Sequence, residues 1–194
     1  MHLNDLFKAL SAKVRFNDED QEVLSSLFKP ISIPKKHKLI IEGQYANEAY
    51  FVTKGLLHQY KTLDSGDLQV IQFAKENYWV GDFYGYATGS KAIFTLETIE
   101  PCELWVITRA NIELAFKASR NFETYFRVLI EQAYANTLFR LSEVYSQNAE
   151  EKYERLASRQ PDLLQRVPQY LIASYLGIIP SSLSRIRNKK AIIS

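Results

Sequence analysis

The side chains best suited to chemistry lie near the C-terminus. Ser181, Ser182, Ser184, Arg185, Arg187, Asn188 and Lys189 fall within nine residues that hold no carboxylate. Hydroxyls donate to phosphate oxygens or base edges, and an arginine can grip guanine with two parallel hydrogen bonds. The order of residues from Ile172 to Arg187 sets these groups on a helix. Pro180 opens it, since proline suits a first helical turn. Leu183 and Ile186 are apolar where this helix packs on the one before, as is Leu176 of that helix. The polar residues are left for the outer face. Ala173 is small where two helices approach, and Gly177 stands where a left-handed turn residue is favoured. Helix, short glycine turn, helix is the helix-turn-helix signature. An ordinary helical hairpin is the plainer alternative.

Charge agrees once it is divided along the chain. The 194 residues carry 24 Lys+Arg against 22 Asp+Glu, a net of +2 that is uninformative as a total. Residues 1–150 are net −3 and residues 151–194 net +5, with no acidic side chain after Asp162. A small basic end on a slightly acidic body is the footprint of a nucleic-acid-binding module. A solvated basic tail would give the same numbers.

Composition removes other classes. Hydrophobic residues are 46% and charged ones 24%, a globular balance rather than a disordered one. One cysteine, Cys102, excludes a disulfide framework and a Cys-rich zinc or iron–sulfur site. Three histidines without a His-x-His pair argue against a metal-binding β-roll enzyme of cupin type. Neither a Ser/His/Asp arrangement nor a Gly-rich nucleotide fingerprint is evident, so no enzyme is expected. No apolar run approaches the ~20 residues of a membrane helix, and Met1-His2-Leu3-Asn4-Asp5 does not open a signal peptide. A soluble cytoplasmic protein without a membrane partner is expected.

The elements that must position the C-terminal residues follow an α+β order. Leu3, Leu6, Phe7 and Leu10 recur at helix spacing. Asn17 followed by Asp18, Glu19 and Asp20 caps a second helix running to about Phe28. From Lys29 to about Ile107 come short β-rich runs. Leu56–Leu63 and Leu68–Phe73 flank Asp64-Ser65-Gly66-Asp67, and Phe94–Ile99 and Cys102–Ile107 flank Glu100-Pro101. Several short strands at regular spacing argue for an antiparallel roll or sandwich. Ile112, Leu114, Ala115 and Phe116 suit a short helix. A long one follows over about Asn121–Gln147, free of Gly and Pro. Phe122, Phe126, Leu129, Ala133, Thr137 and Leu141 form one stripe on it. Tyr125, Ile130, Tyr134, Leu138 and Tyr145 widen that stripe. A helix apolar on more than one face needs two covers, expected here to be its own β domain and the same helix of a second subunit; a helix crossing a monomeric core is the plainer alternative. Asn148 with Glu151 forms a capping box for a helix to about Arg159, which Gln160-Pro161-Asp162 breaks. Pro168 is placed at the first position of the next helix. The domains are thus 1–118, 119–147 and 148–194.

A β-roll, a long helix and a C-terminal helix-turn-helix, in that order, resemble the Crp/Fnr family of bacterial transcription regulators. The likeness covers nearly the whole chain and is most specific in Ala173-Ser174-Tyr175-Leu176-Gly177 and Leu183-Ser184-Arg185-Ile186-Arg187. It implies a cyclic-nucleotide-binding-like double-stranded β-helix. It also implies a homodimer paired through residues 119–147 on a roughly palindromic double-stranded DNA operator. Two recognition helices would enter major grooves about 34 Å apart. By the same resemblance Arg185 reads a base, Ser181 and Ser182 meet bases or phosphates, and RNA polymerase is a further partner. The chain departs from the pattern at Ser181, where the family often has Glu. Ile179 stands in place of a hydroxyl N-cap, at a cost of about 1 kcal/mol. With few residues after Lys189, contacts from a C-terminal β-wing are expected to be reduced.

The nucleotide-binding members carry Gly-Glu, a spacer, then Arg-Ser-Ala. Here Gly81-Asp82-Phe83 begins the cassette, and the spacer places Ala92-Ile93-Phe94 where Arg-Ser-Ala belongs. Asp82 is one methylene short, Ala92 cannot pair with phosphate, and Lys91 offers only a point charge. Gly81, Asp82, Phe83, Lys91, Ala92 and Ile93, with Thr137 of the long helix, make up the candidate effector pocket. Cyclic AMP is not expected there; a different small effector, or none, is. The aromatics Tyr78, Trp79, Phe83, Tyr84 and Tyr86 could line an apolar pocket but read rather as core and dimer packing, and His37 and His58 as ordinary residues rather than haem ligands. The competing function is a ligand-binding module whose C-terminal helices bind protein.

Overall fold

The computed structural model describes residues 3–193, with side chains through Lys189; Met1, His2 and Ser194 lie outside it. Two helices come first, α1 (Leu3–Leu10) and α2 (Asp18–Ser25). Asn17 caps α2, and the Asp20 carboxylate returns the bond to the Asn17 amide. The helix ends before Phe28, because Lys29 already belongs to a strand.

Eight strands then form two antiparallel sheets. One holds β1 (Lys29–Ile33), β8 (Cys102–Thr108), β3 (Glu48–Lys54) and β6 (Trp79–Gly81), in that order. The other holds β2 (Lys38–Ile40), β7 (Thr95–Thr98), β4 (Leu57–Thr62) and β5 (Leu68–Ala74). The β4–β5 and β7–β8 turns fall where the sequence places them. A short helix, α3 (Phe83–Thr88), interrupts the strands after β6.

Alternation along each strand sends successive side chains to opposite faces. Tyr50, Val52, Val80, Leu104 and Val106 meet Ile40, Leu57, Ala74 and Leu96 between the sheets. Ala49, Phe51, Trp79, Trp105 and Ile107 point the other way, beneath α1, α2, α4 (Arg109–Ala118) and the start of α5 (Arg120–Ser146). Tyr60, Val70 and Phe73 line the outer face of the second sheet. The C-terminal helices cover that face: α6 (Ala149–Arg159), α7 (Pro161–Arg166), α8 (Gln169–Leu176) and α9 (Pro180–Ile193). The result is helices, sheet, sheet, helices, with three apolar layers between them.

Buried polar links tie the layers. The Trp79 indole N–H donates to the Tyr125 hydroxyl at 2.9 Å. Ser119, which caps α5, donates to Asp20 at 2.5 Å, and Asn121 donates to the same carboxylate at 2.7 Å. Gln160-Pro161-Asp162 ends α6 as expected, but proline at N1 then starts α7 at once. Pro168 is the N-cap of α8, one place earlier than its expected first helical position. Among the described residues no helix is long and apolar enough to cross a membrane.

Candidate nucleic-acid interface and effector site

The C-terminal pair is built around one turn. Gly177 has φ +67°, a left-handed conformation that any Cβ would strain. Its amide and that of Ile178 close on the carbonyls at the end of α8, as in a helix stop of Schellman type. The chain then turns directly into α9. Ala173, Leu176 and Leu183 are buried where α8 and α9 meet, with Ile186 packed against them. Ser181, Ser184, Arg185, Asn188 and Lys189 stand exposed on α9, while Ser182 and Arg187 are half-buried. Leu183 and Ile186 thus face inward as expected, whereas Ser182 and Arg187, expected on the outer face, are only partly exposed. Lys189 is partnered, donating to Glu150 of α6 at 3.0 Å. Ile179 is exposed ahead of Pro180.

The segment expected to hold an effector is differently used. Asp82 is 5% exposed and caps α3, accepting from the Gly85 amide at 3.2 Å. A Cβ on Gly85 would lie 2.2 Å from that carboxylate, so the glycine makes room for the fold-back. The second Asp82 oxygen is buried without a partner. Gly81 pairs with Ala49 across the sheet, and its carbonyl accepts from the buried Gln59 amide at 3.4 Å. Ala92 is core: its side chain packs with Ile40, Leu57 and Leu96. Its backbone exchanges bonds with Gly43 and Gln44 at 2.8 Å. Lys91 and Phe83 are exposed and Ile93 is half-buried. Thr137 stands apart on α5, its hydroxyl donating to the Ala133 carbonyl of its own helix. The side chains of residues 81–93 thus offer a cyclic phosphate no guanidinium, and Ala92 lies in the apolar layer between the sheets. Of the aromatics, Trp79 is buried, Tyr86 reaches Glu113 at 2.6 Å, and Tyr78, Phe83 and Tyr84 are exposed.

The long helix divides midway. Phe122, Tyr125 and Phe126 are buried in the layer beneath the first sheet. Ile130, Tyr134, Leu138, Leu141, Val144 and Tyr145 are exposed, Tyr134 at 65% and Tyr145 at 84%. With Thr137 they recur every three to four residues, the spacing of a two-helix seam. Phe139 leaves that face, and the guanidiniums of Arg155 and Arg159 lie over its ring at 4.7 and 5.1 Å from the centroid.

The fold is an antiparallel β-roll carrying a C-terminal helical unit, and it is similar to cyclic-nucleotide-binding domains. Residues 30–119 match the family model of the cyclic nucleotide-binding domain. Over 91% of its length the chain superimposes on 92% of the Xanthomonas campestris regulator CLP, described as c-di-GMP responsive. The TM-score is 0.73 at 17% identity. FixK2 from Bradyrhizobium japonicum matches with TM-score 0.70 at 17% identity, covering 84% of this chain and 83% of that one. A structure described as cAMP-bound PfPKA-R matches over a smaller share: TM-score 0.52, 22% identity, 58% of this chain and 41% of that one. A structure from Eubacterium rectale, described as of the Crp/Fnr family, has a similar fold: TM-score 0.71, 12% identity, 91% of this chain and 84% of that one. By sequence alone, no curated protein matches.

Sequence reasoning missed α3, α7 and the polar joint between the C-terminal helices and the roll. Arg166 carries that joint, and no local pattern around it signals a partner.

Proposed function

We propose that the protein is a sequence-specific DNA-binding transcription regulator of Crp/Fnr type, acting as a homodimer on a palindromic operator. The observation that carries this reading is the polar face of α9. Ser181, Ser184, Arg185, Asn188 and Lys189 project outward from a helix whose other side is locked onto α8 by Ala173, Leu176 and Leu183. Ser182 and Arg187 flank that face. The acid-free charge of the segment supports a polyanionic partner. The exposed apolar stripe on the second half of α5 supports a second copy as its cover. The stripe is self-complementary under a two-fold axis and continues a helix already rooted in the core. RNA polymerase is a further partner in this reading, and the cytoplasm its location. No catalytic role, metal or cofactor is assigned. Any effector differs from cyclic AMP, because Asp82 is spent on capping α3 and Ala92 is spent on the core.

The test is titration of the purified chain against genomic duplex fragments at several salt concentrations. Saturable binding to a subset of fragments, weakening log-linearly with salt, is expected. A folded dimer that binds no fragment would transfer the C-terminal helices to a protein partner.

A further inference from the structure

Nothing about a helix-turn-helix requires that it be fixed to the domain before it, yet here the attachment is directional. Arg166 closes α7, and its guanidinium is held by two carboxylates of the β-roll. It donates to Glu76 at 2.9 and 2.9 Å, and to Glu100 at 3.0 and 2.7 Å. Glu76 lies in the turn between β5 and β6, Glu100 in the turn between β7 and β8. Glu76 also accepts from the Gly55 amide, in the turn between β3 and β4, at 3.0 Å. Three turns at one end of the roll are thereby gathered on one arginine. Lys75 and Asp162 pair beside it at 2.8 Å.

Further bonds set the rotation of α8. The Ser174 hydroxyl accepts from the Val70 amide at 2.9 Å and donates to the Leu68 carbonyl, filling the free edge of β5. Arg140 of α5 donates to the Ile71 carbonyl and lies 4.7 Å from the Tyr175 ring, which rests on Phe73 at 5.0 Å. Apolar contact alone has no direction, whereas a guanidinium bonded through two edges fixes both distance and plane. The face of α8 used in this docking leaves the polar face of α9 free.

We infer that Arg166, gripped by Glu76 and Glu100, is a positioning residue: it fixes α9 relative to the roll, so that a dimer presents its two α9 helices at one separation. This rests on the DNA-binding reading and adds to it a rule for the partner: duplex DNA with two half-sites at a single spacing. Arg166 itself touches no DNA.

Two readouts on the 194-residue chain test it. First, duplexes selected by the wild-type protein from a random pool are rebuilt with half-sites one base pair closer or farther apart. The wild type should prefer one spacing. Arg166→Gln should bind that spacing about tenfold more weakly, as expected if a freed unit holds the competent orientation a tenth of the time. It should bind the other spacings about as before and a single half-site unchanged. Arg166→Lys should recover part of the preference. An Arg166→Gln protein that keeps the full spacing preference overturns the inference. Second, distances between paramagnetic probes at Asp64 of the roll and Ser158 of α6 should broaden in Arg166→Gln and stay narrow in wild type. An unchanged distribution also overturns it. This readout needs no DNA, so a wild type that binds none would sink the regulator reading while leaving the clamp to be judged separately. Should Arg166→Gln fail to fold, Glu100→Gln carries both measurements.

Discussion

In the proposed reading, Arg185 is the residue on which sequence recognition turns. It is exposed on α9 between Ser181 and Asn188, and its guanidinium carries five donors in a planar fork. An arginine facing a guanine edge supplies discrimination at one base pair, whereas one facing phosphate weakens all sequences alike. Arg185→Ala should therefore cost about 1–3 kcal/mol of discrimination at one operator position. Competition between duplexes differing at single positions measures it. Uniform weakening would move Arg185 to the backbone. Asp82 shows the opposite case. Its carboxylate and position were legible, but its use was not: whether such a group faces a ligand or its own backbone depends on where Gly85 places the α3 amide. No spacing rule contains that geometry.

At the scale of elements, periodicity carried most of what was legible. The 27 residues of α5 showed themselves because neither Gly nor Pro interrupts them, and the N-cap at Asn17 and the capping box at Asn148 stand where expected, Asp20 completing a capping box at Asn17 as well. α3 and α7 have six residues each, and β2 and β6 three, too few to display a period. The stripe on α5 also hid a division. Phe122 and Phe126 enter the core, while Leu141 on the same stripe leaves it, and the letters alone do not say which layer ends where. The two halves should answer differently to substitution. Leu138→Glu with Leu141→Glu should leave the monomer's stability nearly unchanged and abolish the dimer, since an unpaired charge in a buried seam costs about 3–5 kcal/mol. Sedimentation at micromolar concentration would show it as a halved mass. Phe126→Ala should instead lower unfolding stability by about 3–5 kcal/mol, read in urea melts. A double variant that remained dimeric would remove α5 as the seam.

The whole molecule is organised by strands buried on both faces, which is why β3 and β8 read as nearly continuous apolar runs rather than clean alternation. The sequence therefore announced a roll but not what would cover its two outer faces. His58 reports on one of those covers. It lies on the outer face of β4, opposite Phe73 in the ladder and 4.8 Å from the Tyr60 ring, and both rings belong to the layer shared with α8. It is 4% exposed, and one ring nitrogen has no partner. Burial drives its pKa down from 6.5 to about 4, only partly opposed by Glu97 across the ladder. The folded state thus holds the neutral ring where the unfolded chain would take up a proton. Stability is full above pH 6.5 and falls as pH drops towards 4, by about 2 kcal/mol between pH 7 and pH 5. Glu76 loses its stabilising charge only in a lower window. Burial raises its pKa, but the bonds from Arg166 and from the Glu76 and Gly55 amides outweigh that and take it to about 2. The two effects can be separated by pH. Urea melts at pH 7 and pH 5 should differ for the wild type and nearly coincide for His58→Phe. A wild type equally stable at both values would mean that the C-terminal helices do not seal this face. In that case the joint at Arg166 would have no apolar layer behind it.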